Sequence, residues 1–397
     1  MLDVTLNNKV KNATVCTGFR RVGKTYILLE AIERLLKTYS REDVIYINFE
    51  DERIIKPETN LLTELIPEIE SLFGKKPKYL FLDELQVIPN WSKWVRRVLD
   101  SESIQIFITG SSSKMSSSEL PTELRGRAWE VKVNPLNFSE FLRFKNTKID
   151  SLYSSFDFLF NEFLTFGGLP AVVLSTEDKK QELLQAYFRT VVQKDITERY
   201  KVVNDNALKT LLKFLINSNY ITISKLSNNF KSIGLGVGKT TIDKYISYIK
   251  SSYFMDELKM FSPKIINQLG YPRKTYFIDN GFLTSLSTKF SKNFGRLFEN
   301  LVYQELANEN EELFYWKDNK NREVDFVTLK DNKVDSLYQA CYDITDEETF
   351  EREIKSLFRA KKVLGCTNLN LVFFGKTDFP KSVEGIKIIP ASEFFKI

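Results

Sequence analysis

At 397 residues the chain is too long for one ordinary hydrophobic core, so two to four domains are expected. Its 43% hydrophobic and 27% charged residues describe a globular protein rather than a disordered one. Histidine is absent, which excludes Ser-His-Asp and Cys-His nucleophilic sites and every His-ligated metal site. Carboxylates, Lys, Arg, hydroxyls, backbone amides and hard, oxygen-bound cations such as Mg²⁺ remain, and these lean towards phosphate chemistry.

No apolar run approaches the roughly 18 residues of a membrane span, and no basic-then-apolar leader opens the chain. The three cysteines, Cys16, Cys341 and Cys366, lack disulfide-framework spacing, which fits a reducing cytoplasm. The net charge of +5 is small, but residues 207–264 hold 9 Lys and no Arg against 3 acids, a local excess of +6.

Residues 13 to about 133 alternate apolar runs with amphipathic stretches. "ATVCT", "DVIYINFE", "KYLFLDE" and "IQIFITG" read as buried strands, with helical patterns at 24–38, 58–73 and 91–101 between them. Alternation of this kind predicts an α/β unit with a parallel sheet covered on both faces and a ligand edge at the carboxyl ends of its strands. From "PLNFSEFL" to about residue 200 the pattern is mostly helical. Three short helices follow at 207–217, 222–230 and 239–252, then two strand-like runs, 253–261 and 274–279. A helix from Phe294 leads into strand-like "EVDFVTL", "SLYQACYDI" and "LNLVFFG", a further α/β unit.

The stretch Gly18-x-x-x-x-Gly23-Lys24-Thr25 matches a phosphate loop in full, with a strand before it and a helix after it. Gly18 and Gly23 let successive N–H groups turn towards phosphate oxygens, with Arg20, Arg21 and Val22 completing the loop. Lys24 is placed to reach β and γ phosphates at a helix N-terminus, and the Thr25 hydroxyl is a hard Mg²⁺ ligand. A look-alike, "GLGVGKTTIDKYI" from Gly234, has Ile233 at the opening position and no strand feeding it, so it reads as a turn before a basic helix.

A nucleotide site also needs a carboxylate for the metal and one for the water. "YLFLDELQ" offers Asp83 for Mg²⁺ and Glu84 to polarise the attacking water. On the strand "IFITGSSS", Thr109 or Ser111 is a candidate γ-phosphate sensor. Arg127 is a candidate for transition-state charge, in cis or from a neighbouring subunit, or else a solvent-facing residue.

The motifs "GFRRVGKT", "FLDELQ", "ITGSS", "LRGR...NPLNFSEFL", "GGLPAVV" and "KDITERY" occur in an order that resembles prokaryotic and archaeal AAA-type ATPases carrying a C-terminal nuclease-like domain. The resemblance covers nearly the whole chain. It implies a P-loop ATPase core at 1–134, a helical lid at 135–203, a winged helix at 204–288 and a restriction-endonuclease-like domain at 289–397, with ATP held between core and lid.

In the basic middle unit, Ile242, Ile246 and Ile249 have core spacing, while Lys239, Thr241, Lys244 and Tyr248 lie on the other side. With Lys264, Arg273 and Lys274 between the strand arms as a wing, these are candidate contacts to double-stranded DNA; packing or protein contact is the alternative. Restriction-type nucleases place an acid, then an acid-x-Lys pair, around Mg²⁺. The matching positions are Glu299, Asp325, then Gln339 and Cys341, so the expected centre is degenerate. Lys355 and Lys361 are candidate substitutes for the missing lysine. The leading expectation is an ATP-hydrolysing AAA/STAND-type molecular switch that contacts DNA. An ATP-dependent nuclease and an ATP-regulated protein scaffold are the rivals, and monomer and ring are both compatible.

Overall fold

The computed structural model describes residues 12–110, 124–147, 153–287, 293–310, 312–375, 382–383 and 385–395. It divides into two compact units after Asn134, with Ser251–Tyr253 grouped in the first.

The first unit is built on strands β1 (Ala13–Gly18), β2 (Val44–Asn48), β3 (Tyr79–Asp83), β4 (Gln105–Gly110) and β5 (Ala128–Val133), in the order β2-β3-β4-β1-β5. Every pairing is parallel. Alternate residues of β3 serve opposite faces, which is why it is apolar from Tyr79 to Leu82, ahead of Asp83. Leu80 and Leu82 join Leu62 and Ile66 of α2 (Thr59–Phe73) and Trp94, Val95 and Val98 of α3 (Trp91–Ser101) in one buried cluster. Phe81 lies outside that cluster and stacks on Phe107 of β4 at 4.6 Å. Helix α1 (Lys24–Leu35) buries Leu28, Ala31 and Leu35.

The four expected strands and three expected helices are present, within a few residues of the expected ends. Strand β5 was not anticipated. It is an edge strand, and Trp129 and Glu130 face solvent, so it carries no continuous apolar run.

The second unit begins with α4 (Phe138–Phe144) and α5 (Tyr153–Phe166), whose phenylalanines interlock: the Phe138 ring lies 5.2–5.8 Å from those of Phe141, Phe156, Phe160 and Phe163. After a short helical turn at Pro170–Val173, α6 (Glu177–Thr190) runs into a π-wound segment, Val191–Glu198. Then come α7 (Asp205–Ile216), α8 (Ile223–Ser232) and α9 (Lys239–Ser251), with a small antiparallel sheet of β6 (Tyr220–Ile221), β7 (Met255–Leu258) and β8 (Arg273–Phe277) in the order β6-β8-β7. Residues 233–238 link α8 to α9, so the second glycine-rich stretch is an interhelical turn.

Helix α10 (Asn280–Leu286) and α11 (Phe294–Glu309) lead to a mixed sheet of β9 (Leu313–Lys317), β10 (Glu323–Lys330), β11 (Lys333–Cys341), β12 (Asn368–Phe373), β13 (Ser382–Val383) and β14 (Ile386–Pro390). Its order is β13-β14-β12-β11-β10-β9. The β9-β10-β11 part is antiparallel and β11-β12-β14 parallel. Helix α12 (Glu347–Leu364) covers it with Ile354, Leu357 and Ala360. The segment after β7 is joined to β9: Tyr315 N–H donates to the Lys259 carbonyl at 3.0 Å, and Phe261 N–H to the Tyr315 carbonyl at 2.6 Å. The short strands β6, β9, β13 and β14 were not anticipated.

The "GGLP" stretch has a steric reason. A Cβ on Gly168 would stand 2.1 Å from the Leu136 carbonyl oxygen, and that close approach carries a hydrogen bond from Leu136 N–H to the Gly168 carbonyl at 2.9 Å. The Gly168 N–H donates to the buried Asp279 carboxylate at 2.7 Å, whose other oxygen accepts from Gly281 N–H at 2.8 Å. Gly168→Ala should therefore cost about 2–3 kcal/mol, read as a lowered urea midpoint at constant slope.

Burial pushes Asp279 up to about 7, despite the N–H groups of Gly168 and Gly281 that favour its charge. Because the folded-state value lies above the unfolded one, the stability this carboxyl contributes is fully present below about pH 4 and is lost as pH rises through about 7. An NMR titration of the Asp279 carboxyl should show a midpoint near 7.

Candidate nucleotide site and the C-terminal carboxylate centre

Strand β4 lies between β1 and β3, so the carboxyl ends of all three strands share one edge. Thr17 of β1 is level with Gly110 of β4, and Asn48 of β2 with Asp83. The phosphate loop leaves β1 here. Gly18 has φ 143°, and a Cβ on it would stand 2.2 Å from the Val133 carbonyl oxygen of β5, so only glycine fits. Gly23, in the left-handed region, forms the N-cap of α1. Among the described residues no side chain caps that helix, and its first turn holds no acid, so its leading N–H groups face the loop. The Lys24 ammonium is buried and donates to the carbonyls of Gly18 at 3.1 Å and Phe19 at 2.9 Å.

Asp83, 2% exposed, gathers three hydroxyls. Thr25 and Tyr46 each donate to its Oδ2 at 2.9 Å, and Thr109 donates to its Oδ1. The Thr109 oxygen also accepts the Glu84 N–H at 3.0 Å. Burial, then the bond to Asp83, pushes the Tyr46 phenol well above its ordinary range. Glu84 is left-handed at φ 54°, turning its side chain off the strand, and its Oε2 accepts from Gln86 at 2.5 Å. Tyr46 and Gln86 were missed by sequence reasoning; Gln86 was visible in "FLDELQ", whereas Tyr46 lies on a different strand.

This donor set fits Mg²⁺. The ion takes hard oxygens at about 2.0–2.1 Å, so adjacent octahedral ligands lie about 2.9 Å apart, the separation of Thr25 Oγ1 and Asp83 Oδ2.

Residues 10–142 match the AAA domain (AAA_14), while residues 157–293 and 294–394 match two domains of unknown function (DUF8612 and DUF4143). An uncharacterized protein of Methanocaldococcus jannaschii is 42% identical over 376 residues, spanning 92% of this chain and 81% of that protein. One of Haemophilus influenzae is 29% identical over 388 residues, spanning 94% and 92%. The chain belongs to this family of AAA-domain proteins. Among solved structures, a Walker-type ATPase of Pyrococcus abyssi is similar at 15% identity and a TM-score of 0.49, with 72% of this chain and 93% of that one covered. By the family match, residues 10–142 are an AAA-type P-loop ATPase domain.

Within the AAA domain the in-cis reading of Arg127 is corrected. Its carbonyl accepts the Ala13 N–H at 3.0 Å, at the amino end of the sheet, about 16 Å along β1 from Gly18. Its guanidinium pairs with Asp100 there. Arg20 lies 4.0 Å from Glu50, and Arg21 is left-handed at φ 69° within the loop. Ser111 falls outside the described residues.

The structure also corrects the wing contacts. Arg273 Nη1 pairs with the buried Glu257 at 3.0 Å. Lys274 is 4% exposed and its Nζ donates to Glu299 at 2.7 Å, Glu323 at 2.8 Å and Asp325 at 2.8 Å. Lys239 and Lys244 are exposed on α9, and Thr241 is half-buried. The Tyr248 ring stacks on Tyr200 at 3.8 Å, which makes it a packing residue as much as a surface one.

Glu299 and Asp325 are thus brought together, around a lysine the sequence had assigned elsewhere. Burial opposes the charge of Lys274, but Asp325 and Glu299 hold its pKa well above the ordinary value. Tyr276 OH donates to Glu299 at 2.7 Å, and the second Asp325 oxygen accepts the Ala340 N–H at 3.1 Å. Gln339 accepts the Asp325 N–H at 3.3 Å and donates to Glu353 at 2.6 Å. Cys341 belongs to the core cluster of the sheet, where burial pushes its thiol up to about 12. Lys355 pairs with Glu351 at 2.6 Å on an exposed face.

Thr109→Val leaves a buried Asp83 oxygen and the Glu84 N–H without their hydroxyl partner. It should cost about 1–3 kcal/mol in urea denaturation and weaken Mg²⁺-dependent nucleotide binding.

Proposed function

We propose that the protein is a Mg²⁺-dependent ATPase acting as an AAA/STAND-type switch. The observation that carries this reading is the Thr25–Asp83 oxygen pair beside the uncapped N-terminus of α1. The N–H groups from Gly18 to Thr25, with Arg20, Arg21 and Val22 between, bind the phosphate chain. Lys24 turns its ammonium from the loop carbonyls to the β and γ phosphates. Thr25 and Asp83 hold the metal, which when bound neutralises developing phosphate charge. Glu84, oriented by Gln86, accepts a proton from the attacking water. Thr109 positions Asp83 and Glu84 rather than touching the γ-phosphate itself. Arg127 enters this reading only as a donation from a neighbouring copy.

Lys24→Ala should abolish ATP binding. Glu84→Gln should keep binding while slowing hydrolysis by about 10²–10⁴-fold, read as phosphate release. Unchanged turnover in both variants overturns the assignment.

The output we assign to the second unit is contact with double-stranded DNA, the helices α7–α9 and sheet β6-β8-β7 acting as a winged helix. The exposed Lys239 and Lys244 and the +6 excess over residues 207–264 support it. With Arg273 and Lys274 engaged internally, the contact rests on α9 and not on a wing. Affinity should fall steeply with salt, and removing both lysines should reduce the log–log slope by about 2. A flat salt dependence points to the protein-scaffold reading instead. Among the described residues no helix is long and apolar enough to cross a membrane.

A further inference from the structure

The nuclease-like resemblance implies Mg²⁺ at Glu299 and Asp325, and the residues present do not fit it. An ammonium has three N–H donors and no acceptor. All three of Lys274 are matched by separate carboxylates, Glu299 at 2.7 Å, Glu323 at 2.8 Å and Asp325 at 2.8 Å. The rings of Tyr220 and Tyr315 close the sides, 5.6 and 5.8 Å from Nζ. The carboxylates are held in turn: Tyr276 OH on Glu299, Ala340 N–H on Asp325, and Lys317 on Glu323 at 3.3 Å. Lys274 is delivered by the central strand of a three-stranded sheet, in register with Tyr220 on one side and Leu258 on the other, so its approach is fixed by backbone pairing. Gln339, where the second acid would stand, uses its amide on Asp325 and Glu353.

We infer that Lys274 is the resident cation of this centre, standing among the carboxylates that would otherwise hold a divalent metal, and that the centre is a metal-independent clasp between β8 and the C-terminal sheet. Three carboxylates assembled within reach of one point require a cation. This chain supplies it covalently, and the lysine leaves no donor for water or a phosphodiester. The clasp therefore gives the ATP-dependent nuclease alternative no metal to work with.

The test counts Mn²⁺ bound to the full chain by electron paramagnetic resonance, without nucleotide. Wild type and Glu299→Gln should bind the same number. Lys274→Ala and Lys274→Met should each gain one Mn²⁺ per chain, with a melting temperature that rises on adding Mn²⁺. The gain should vanish in Lys274→Ala/Asp325→Asn. Wild type binding one Mn²⁺ more than Glu299→Gln overturns the inference, as does a folded Lys274 variant that gains none. If neither lysine variant folds with or without Mn²⁺, the comparison of wild type with Glu299→Gln decides alone.

Discussion

A carboxylate removed from water must be given donors, and the candidate nucleotide site is organised around meeting that demand for Asp83. Its two oxygens take hydroxyls from α1, β2 and β4, elements that meet only because the parallel sheet interposes β4 between the loop-bearing strand and the acid-bearing one. The same contacts hold both Asp83 oxygens, set the backbone of Glu84 through Thr109, and tie the first turn of α1 to the sheet. Each is a hydroxyl, able to release its hydrogen bond to an incoming cation without leaving a charge behind. A lysine or arginine in any of these positions would have neutralised Asp83 permanently.

That is the solution adopted in the second unit. There the demand of three carboxylates is met by a fixed positive charge, Lys274, and the result is a closed cluster. The first centre takes its acid from strand β3 and the second takes Glu323 and Asp325 from β10 and Glu299 from α11; they differ in the counter-group, dipolar in one, charged and tethered in the other. Burying ions is costly in both; the first meets the cost with neutral hydroxyls, the second with a fixed charge.

Much of the first unit was legible in the sequence because its signals are local. Glycine spacing, a strand ending in two acids, and runs apolar on both faces each sit within a few residues. Strand β5 escaped because an edge strand with Trp129 and Glu130 facing outwards has no continuous apolar run. Tyr46 escaped because its partner, Asp83, is 37 residues away. Lys274 was read as a surface charge because a basic segment says nothing about which of its charges are buried. Three acids 25 to 51 residues downstream decide that, and only the tertiary fold joins them. The glycines of "GGLP" were visible, but their reason, a carbonyl at Leu136 and a carboxylate at Asp279, was not.

The bond from Gly168 to Asp279 spans 111 residues and lies in the interior of the second unit. Asn280 extends the span, donating to the carbonyls of Leu164 and Leu297. A chain emerging from the ribosome cannot complete the helical segment around Gly168 until β8 and α10 have also emerged. Contacts of such separation carry a large loop-closure entropy before they return anything, so this half of the molecule matures late and as one cooperative block. The P-loop sheet, whose strands lie between residues 13 and 133, has no such wait, and vectorial synthesis would present a finished N-terminal sheet while its downstream half was still a nascent coil.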